Sequence, residues 1–137
     1  MAVVVDASVA LAWLVPSQST AAAEAFRASA AAQTLLAPEV FRVEARHALV
    51  KLERRSLAGP EALNAGLPAL EALFSITAQT SAEELVGVVA LARAEQLGVY
   101  DAFYLSLALA SRAALASRDS VLLAAAARRG VMAHDLR

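Results

Sequence analysis

The chain has 137 residues, a formal net charge of −1 and no cysteine, and hydrophobic residues make up 59% of it. That length suits one compact domain, and the lack of cysteine excludes disulfides, thiolate zinc sites and cysteine catalysis. The mean hydropathy of +0.56 is high for a monomer of this size and favours an interface with a subunit or partner. No apolar run approaches the roughly 18–20 residues of a membrane span, and the start MAVVVD lacks the basic region of a secretion signal, so we expect a cytoplasmic protein.

The first half of the chain predicts short apolar strands that alternate with helices. In this half, Gly59–Pro60 ends the segment after the third helix, and Glu61–Phe74 is helical in part. Gly66 and Pro68 interrupt that last segment at a point that the pattern does not fix. In chain order, the other expected elements are a strand at Ala2–Val5, helices at Ser8–Leu14 and Thr20–Ala32, a weak strand at Leu35–Leu36 and a helix at Glu39–Arg55.

The second half of the chain continues the alternation. Ser81 and Glu84 have the spacing of a capping box at the start of a helix, and Gly98 is the natural residue to end that helix. The expected elements are a strand at Ser75–Thr77, a helix from Ser81 to Leu97, a helix at Asp101–Arg112, a strand at Ala114–Ser117, a helix at Ser120–Arg129 and a strand at Val131–Ala133.

This order of elements predicts an α/β fold. Strands that alternate with helices of this length form a central parallel twisted sheet, here of four to five strands, flanked by helices. Ligands of such sheets bind beyond the carboxyl ends of the strands, where we expect Asp6 and Asp119. The chain shows no repeats, linkers or low-complexity tracts, so we expect a single domain over residues 1–137.

Acidic residues beside or inside apolar stretches point to the chemistry. They are Asp6 in VVVDASVALAW, Glu44 in APEVFRVEARHAL, Asp101 in GVYDAFYLSLALA and Asp119 in LASRDSVLL. A carboxylate in such a place is costly unless a cation compensates for it, and four that converge repel one another without metal. Oxygen-only sites select hard cations such as Mg²⁺ or Mn²⁺, which activate a water to cleave phosphodiesters. The pattern therefore predicts a metal-dependent nuclease.

Helix capping is the alternative explanation for three of these carboxylates. Asp6, Asp101 and Asp119 each stand at the start of an expected helix, and taken singly each is explained at least as well as an N-cap. Glu44 discriminates between the interpretations, because it is in the middle of a helix, about 60° from Phe41 at the margin of the apolar face. The four together, in this order, are harder to explain as caps.

Two serines flank the candidate site. Ser8 follows Asp6 by two residues, and Ser117 precedes Asp119 by two. A hydroxyl in either place could orient a carboxylate or a metal-bound water. The alternative is that both are ordinary turn or cap serines.

Basic residues on the Glu44 helix are candidates for RNA contacts. Lys51 and Arg55 lie within roughly 40° of Glu44 around the helix and could meet RNA phosphates, although a solvated helix face explains them as well. His47 falls near the same side and could support the site or touch RNA, or be a surface histidine. A net charge of −1 is not that of a general nucleic-acid binder, but two bound divalent cations would make the site strongly positive.

Over essentially its whole length the chain resembles the PIN-domain proteins, specifically the VapC-type toxins of prokaryotic toxin–antitoxin pairs. The segments that carry the resemblance are VVVDASVALAWL, APEVFRVEARHAL, YDAFYLSLALA and ASRDSVLLAAAARRGV, in this order. The resemblance implies a PIN-like α/β/α fold with Mg²⁺ or Mn²⁺ held by an acidic quartet. It also implies endoribonuclease activity on an RNA substrate, homodimerisation and inhibition by a cognate antitoxin.

Carried over by position, the resemblance makes the metal ligands Asp6, Glu44, Asp101 and Asp119. Ser8 matches the small hydroxyl after the first aspartate, and Ser117 stands where the family often has threonine. His47 departs from the asparagine that is common at this place, and Pro68 departs from a segment that is usually helical.

Other interpretations remain open. A PIN nuclease for RNA maturation would need no antitoxin, and a non-enzymatic α/β module of the same fold would use its aspartates as caps. Three other α/β classes fit poorly. A receiver domain needs a lysine late in the sheet, whereas the single lysine, Lys51, is in the middle of an expected helix. A haloacid-type phosphatase wants an aspartate where Ser8 stands, and a dinucleotide fold needs a glycine-rich turn after the first strand.

Overall fold

A parallel sheet forms the centre of the computed structural model, which describes residues 1–78 and 80–137. The strand order is β3-β2-β1-β4-β5, and every neighbouring pair is parallel. This confirms the predicted fold class, with five strands in the described part of the chain. The strands are β1 Ala2–Val5, β2 Thr34–Ala37, β3 Phe74–Ile76, β4 Ala114–Ser117 and β5 Ala133–Asp135.

Seven α-helices accompany the sheet in the described ranges, close to the predicted positions. A 3₁₀ turn at Pro16–Gln18 follows the first helix, and a π-helical turn at Ala62–Gly66 precedes the fourth. None of these helices is long and apolar enough to cross a membrane. Their bounds are α1 Ala7–Leu14, α2 Ala21–Ala30, α3 Val40–Arg54, α4 Leu67–Glu71, α5 Ala82–Glu95, α6 Val99–Ser111 and α7 Ser120–Arg128.

The break that the sequence could not place lies between the π-helical turn and α4. Pro68 stands in the first turn of α4, where a missing backbone N–H costs little because that group has no partner within the helix. A side chain at Gly66 would meet Leu14, since a Cβ built there lies 3.1 Å from Leu14 Cδ2. The interruption therefore lets the chain pack closely against the end of α1.

The predicted end of α5 is wrong by two residues. Gln96, with φ of 54°, is the left-handed residue after the helix, whereas Gly98 has φ of −61° and stands at the N-cap of α6. At the other end of α5 the Ser81 hydroxyl accepts a hydrogen bond from the Glu84 amide, as the capping pattern predicts.

The middle of the sheet is the most deeply buried part of the fold. Val3, Val4 and Val5 of β1 are fully buried, because neighbouring strands pair with β1 on both sides and helices cover the sheet. Each such side chain contributes about 1.5–3 kcal/mol relative to an exposed one. The rigid centre of the sheet thus fixes the residue that follows β1.

The strand order brings two chain ends together at the carboxyl edge of the sheet. Val5 of β1 pairs in register with Ala116 of β4, and the Asp6 amide donates to the Ala116 carbonyl at 3.0 Å. The chain passes from β1 outward through β2 to β3 and then returns to the other side of β1 as β4. That reversal is the switch point at which open α/β sheets bind ligands.

Candidate functional site

Four elements direct the predicted carboxylates toward the switch point between β1 and β4. Asp6 follows β1, and Asp119 lies two residues beyond β4. Glu44 is in the second turn of α3, and Asp101 is in the first turn of α6. The negative charges of Asp6 and Asp101 raise the pKa of Glu44, and those of Asp6 and Asp119 raise the pKa of Asp101. The structure therefore brings all four predicted residues into one electrostatic cluster.

Asp6 is the buried centre of this cluster, with 4% of its surface exposed. The Ser8 and Ser117 hydroxyls both donate to Asp6 Oδ2, at 2.8 and 2.7 Å. Ser8 Oγ in turn accepts from the Arg118 amide at 3.2 Å, and Ser117 Oγ accepts from the Asp119 amide at 2.9 Å. Because each hydroxyl has one proton, these amide contacts leave that proton directed at Asp6.

Asp6 does not cap α1, although it stands at the N-cap position. No capping hydrogen bond to its side chain is found, and the carboxylate accepts from the Ser8 and Ser117 hydroxyls instead. Burial raises the pKa of Asp6, the Ser117 and Ser8 hydroxyls oppose that rise, and the charge of Asp119 adds to it. Two hydroxyl donors on a buried carboxylate favour its charged form, which is the form that binds metal.

Glu44 contacts a residue that the sequence interpretation missed. The Tyr104 hydroxyl donates to Glu44 Oε1 at 2.8 Å, and Tyr104 is fully buried. Burial, together with the charges of Asp6 and Asp101, raises the pKa of Glu44 to about 7 despite the opposing effect of the Tyr104 hydrogen bond. The sequence did contain a pattern that indicates this contact. Tyr104 follows Asp101 by three residues and so lies on the same face of α6.

Asp101 is not the cap of α6, since Gly98 occupies that position. Burial, together with the charges of Asp6 and Asp119, raises the pKa of Asp101 to about 6. No hydrogen bond to its carboxylate is found among the described residues. Asp101 is thus a half-buried carboxylate whose described neighbours include two other negative charges.

Asp119 has one of the two roles that the sequence allowed, that of a helix cap. It is the N-cap of α7, and its Oδ1 accepts from the Val121 and Leu122 amides at 2.8 and 3.2 Å. Its capping role is therefore confirmed. The capping contacts fix the side chain and leave Oδ2 unused by them, so capping does not exclude a second role.

Three of the carboxylates share one pattern. Protein donors engage Oδ2 of Asp6, Oε1 of Glu44 and Oδ1 of Asp119, and the donors found in each case contact only that oxygen. None of the ion pairs in the described part of the chain involves any of the four acidic residues. Clustered negative charge without a cationic side chain is the arrangement that a bound cation would relieve.

The carboxylates are not yet at the spacing of a metal centre. No group of three or more Asp, Glu, His or Cys residues within ranges 1–78 and 80–137 is placed to hold a metal ion. Without a cation, like charges at these positions repel one another. The donor chemistry of four carboxylates suits Mg²⁺ or Mn²⁺.

The basic residues of α3 lie farther from the cluster. Lys51 and Arg55 are exposed, and at a rise of 1.5 Å per residue they stand about 10 and 16 Å along the helix from Glu44. His47 is also exposed. Arg118 is closer to the cluster in sequence, and the sequence interpretation missed it. Its Nη1 donates to the Ser8 carbonyl at 3.2 Å, which joins the loop after β4 to α1.

The fold and this edge of the sheet define the chain as an α/β protein with a carboxylate site at its switch point. It belongs to the PIN domain family, whose profile matches residues 3–128. The predicted family resemblance is thereby confirmed. A search of curated proteins gives no significant match.

Solved structures with the same fold come from several prokaryotes. The crystal structure of PAE2754 from Pyrobaculum aerophilum is similar with a TM-score of 0.71 and 23% identity, over 97% of this chain and 89% of that one. FitAcB from Neisseria gonorrhoeae has a TM-score of 0.63 and 16% identity, over 97% and 96% of the two chains. VapBC2 from Rickettsia felis, bound to a DNA fragment from their promoter, has a TM-score of 0.69 and 11% identity, with 100% of both chains covered. At these identities the likeness describes the fold.

Proposed function

We propose that this protein is an endoribonuclease that depends on a divalent metal and acts as the toxin of a toxin–antitoxin pair. The observation that supports this most directly is the cluster of Asp6, Glu44, Asp101 and Asp119, in which burial and neighbouring negative charges raise the pKa values of Asp6, Glu44 and Asp101. In three of them protein donors hold one oxygen and leave the other to a ligand. A site that served structure alone would instead pair such charges with arginine or lysine.

Asp6, Glu44, Asp101 and Asp119 would together hold Mg²⁺ or Mn²⁺. When bound, the cation supplies positive charge for the phosphate and lowers the pKa of a water at the site. The remaining chemistry is phosphodiester hydrolysis, in which a water oxygen attacks phosphorus and the sugar oxygen leaves in line.

The protein's own contribution is positioning. Ser8 and Ser117 fix Asp6 at the end of β1, and the α7 amides fix Asp119 beside it. Rigid strands and helix ends carry these groups, so little reorganisation is needed when the phosphodiester arrives. Lys51, Arg55 and His47 would contact RNA outside the reacting centre, at the distances along α3 given above.

The toxin role is supported by the similarity of this fold to two solved structures. Two of the similar structures are FitAcB and VapBC2, the latter bound to a DNA fragment from their promoter. We propose that this chain also binds a cognate antitoxin. Exposed apolar side chains on α5 and at the start of α6 supply surface for a homodimer or for that antitoxin. They are Leu85, Val86 and Val99.

Cleavage of purified RNA tests the proposal. Total RNA is incubated with the protein in Mn²⁺ or Mg²⁺. One parallel reaction contains EDTA, and another contains an Asp6→Asn, Asp101→Asn double variant in place of the wild-type protein. Discrete fragments that need metal and are absent with the double variant are expected. Glu83→Gln is a matched control, because it removes an exposed carboxylate of α5 that is not among the charges acting on Asp6, Glu44 or Asp101. Equal cleavage by wild type and the double variant would contradict the proposal.

The toxin role needs its own test. Induced expression is expected to arrest growth, and the double variant is expected to be harmless. The proposal predicts a small gene immediately upstream of this one, whose co-expression restores growth. RNA cleavage without growth arrest, or arrest that the neighbouring gene does not relieve, would instead indicate an RNA-processing nuclease.

A further inference from the structure

Tyr104 reaches the carboxylate cluster from the inside of the protein. It is fully buried on α6, one helical turn after Asp101, and its hydroxyl donates to Glu44 Oε1 on α3 at 2.8 Å. Burial and the charges of Glu44 and Asp6 raise the pKa of Tyr104. The hydroxyl therefore contacts Glu44 from a ring that is held in the interior of the protein.

Electrostatics alone would drive Glu44 out of the cluster. Its carboxylate is half-buried at the end of a flexible side chain, and the charges of Asp6 and Asp101 act against its ionised form. Rotation toward solvent would relieve both burial and repulsion. In the described part of the chain, the Tyr104 hydroxyl is the one group found to donate a hydrogen bond to Glu44.

We infer that Tyr104 is a positioning residue that holds the Glu44 carboxylate in the cluster and presents Oε2 as its ligand oxygen. The inference rests on the proposed function, because it requires that Glu44 bind a divalent cation. Tyr104 acts through Glu44 and touches neither cation nor RNA. Partners of metal ligands in other proteins typically contribute about 10–100-fold to metal affinity or activity.

Mn²⁺ binding to the metal-free protein, measured by titration calorimetry and by the electron paramagnetic resonance signal of free Mn²⁺, tests this inference. Tyr104→Phe removes one oxygen atom and keeps the buried ring. We expect it to raise the Kd for Mn²⁺ by about tenfold. Tyr100→Phe is the matched control, since it makes the same change at an exposed position of the same helix, and its Kd should equal that of wild type.

A double-mutant cycle separates positioning through Glu44 from a general packing role. Glu44→Gln should weaken Mn²⁺ binding, and adding Tyr104→Phe to it should cause no further loss, because Tyr104 then has no charged ligand to hold. RNA cleavage by Tyr104→Phe should recover when Mn²⁺ is raised to saturation. Loss that persists at saturating Mn²⁺, or that is equal in the Glu44→Gln background, would overturn the inference.

Two other outcomes distinguish a failure of the proposed metal ligands from a failure of the positioning role of Tyr104. Mn²⁺ binding that Glu44→Gln does not weaken would remove Glu44 from the site, and with it both the proposed ligand set and this inference. Binding that Glu44→Gln weakens and Tyr104→Phe does not would overturn the positioning role alone.

A second measurement applies if Tyr104→Phe does not fold. In the Tyr100→Phe protein, Tyr104 is the single tyrosine, so 3-fluorotyrosine labelling gives one ¹⁹F signal. That signal should shift as Mg²⁺ fills the site and should lose this response in Glu44→Gln. A signal that ignores Mg²⁺, while Mg²⁺ binding is seen by calorimetry, would overturn the inference.

Discussion

The Ser117 hydroxyl donates to Asp6 Oδ2 at 2.7 Å, although 111 residues separate the two in sequence. Both are buried, with 0% of Ser117 and 4% of Asp6 exposed. The same hydroxyl accepts the Asp119 amide, so it joins the end of β1 to the loop after β4. One small side chain thereby sets the relative position of two candidate metal ligands.

Removal of that hydroxyl should cost stability. Ser117→Ala leaves the Asp119 amide and one donor site of a buried carboxylate unpaired, so we expect the free energy of unfolding to fall by about 1–3 kcal/mol. Urea denaturation of the metal-free protein measures this. Ser8→Ala is the matched comparison and should cost less, because Ser8 is partly exposed and water can replace its hydroxyl. An equal cost for both variants would show that burial of the Ser117 contact does not matter.

Asp6→Asn should separate stability from activity. An amide of the same shape can still accept from Ser8 and Ser117, and it removes a charge whose burial and neighbour Asp119 are unfavourable. We therefore expect the metal-free variant to be as stable as wild type or more stable, while RNA cleavage is lost. Urea denaturation in EDTA and cleavage in Mn²⁺ measure the two quantities. A cooperative loss of the fold would instead assign Asp6 a structural role.

The stability of the metal-free protein should depend on pH with a defined sign. Glu44 and Asp101 have pKa values raised from 4.5 to about 7 and from 3.8 to about 6. The folded chain therefore retains protons that the unfolded chain has released, and the stability that these two groups contribute is lost as the pH rises through those intervals. Urea denaturation across this range, with EDTA present, measures the slope.

Glu44→Gln isolates the contribution of one group to that slope. The amide does not titrate and can still accept from Tyr104, so stability should fall less steeply with pH than in wild type. Carboxylates with lowered pKa values, such as Glu71, titrate below the pH range in which Glu44 titrates, and their effect on stability should be the same in both proteins. Identical slopes for the two proteins would show that Glu44 does not titrate in the range given for it.

A buried ion pair on the other side of α3 should matter for stability and not for cleavage. Glu71 has a side chain 6% exposed and binds Arg46 through both oxygens at 2.8 Å, with Arg42 at 3.3 Å. Arg46→Met leaves the carboxylate buried with a poorer partner and should cost about 1–3 kcal/mol. Glu71→Gln should cost less, because the Arg46 side chain is 41% exposed and can be hydrated.

RNA cleavage, unlike stability, should not depend on the ion pair between Glu71 and Arg46. Arg42 and Arg46 each lie two residues from Glu44, about 200° around the helix, and so face away from the cluster. The rate of RNA cleavage per folded molecule should be unchanged in both variants. A specific loss of cleavage in folded Arg46→Met would show that this arginine contacts RNA or acts on the site.

The positions of the carboxylates could be predicted because they depend on local pattern. The run VVVD places an aspartate directly after a buried strand, and the periodicity of the Glu39–Arg55 segment places Glu44 at the edge of a buried face. The contacts of those carboxylates depend on pairing between distant segments. The register of Val5 with Ala116 fixes the Ser117–Asp6 bond, and the packing of α6 sets where Tyr104 meets Glu44, neither of which a single sequence specifies.

Local chain breaks were harder to predict for a different reason. Glycine is favoured where φ is positive, yet Gln96 adopts that conformation at the end of α5 while Gly98 does not. The amide of Leu97 there bonds the Ala92 carbonyl at 2.9 Å, and buried Leu97 packs into the core. Tertiary packing thus overrides the intrinsic preference of a single residue.

Metal should stabilise the folded protein if the four carboxylates hold it. A ligand that binds only the folded chain adds about 2.7 kcal/mol at one hundred times its Kd, because the unfolded chain has no assembled site. Mn²⁺ should therefore raise the Tm of wild type in thermal denaturation, and EDTA should reverse the rise. The Asp6→Asn, Asp101→Asn variant should show no rise, whereas Glu83→Gln, at an exposed position of α5, should respond as wild type does. A rise that survives in the double variant would place the bound Mn²⁺ elsewhere on the protein.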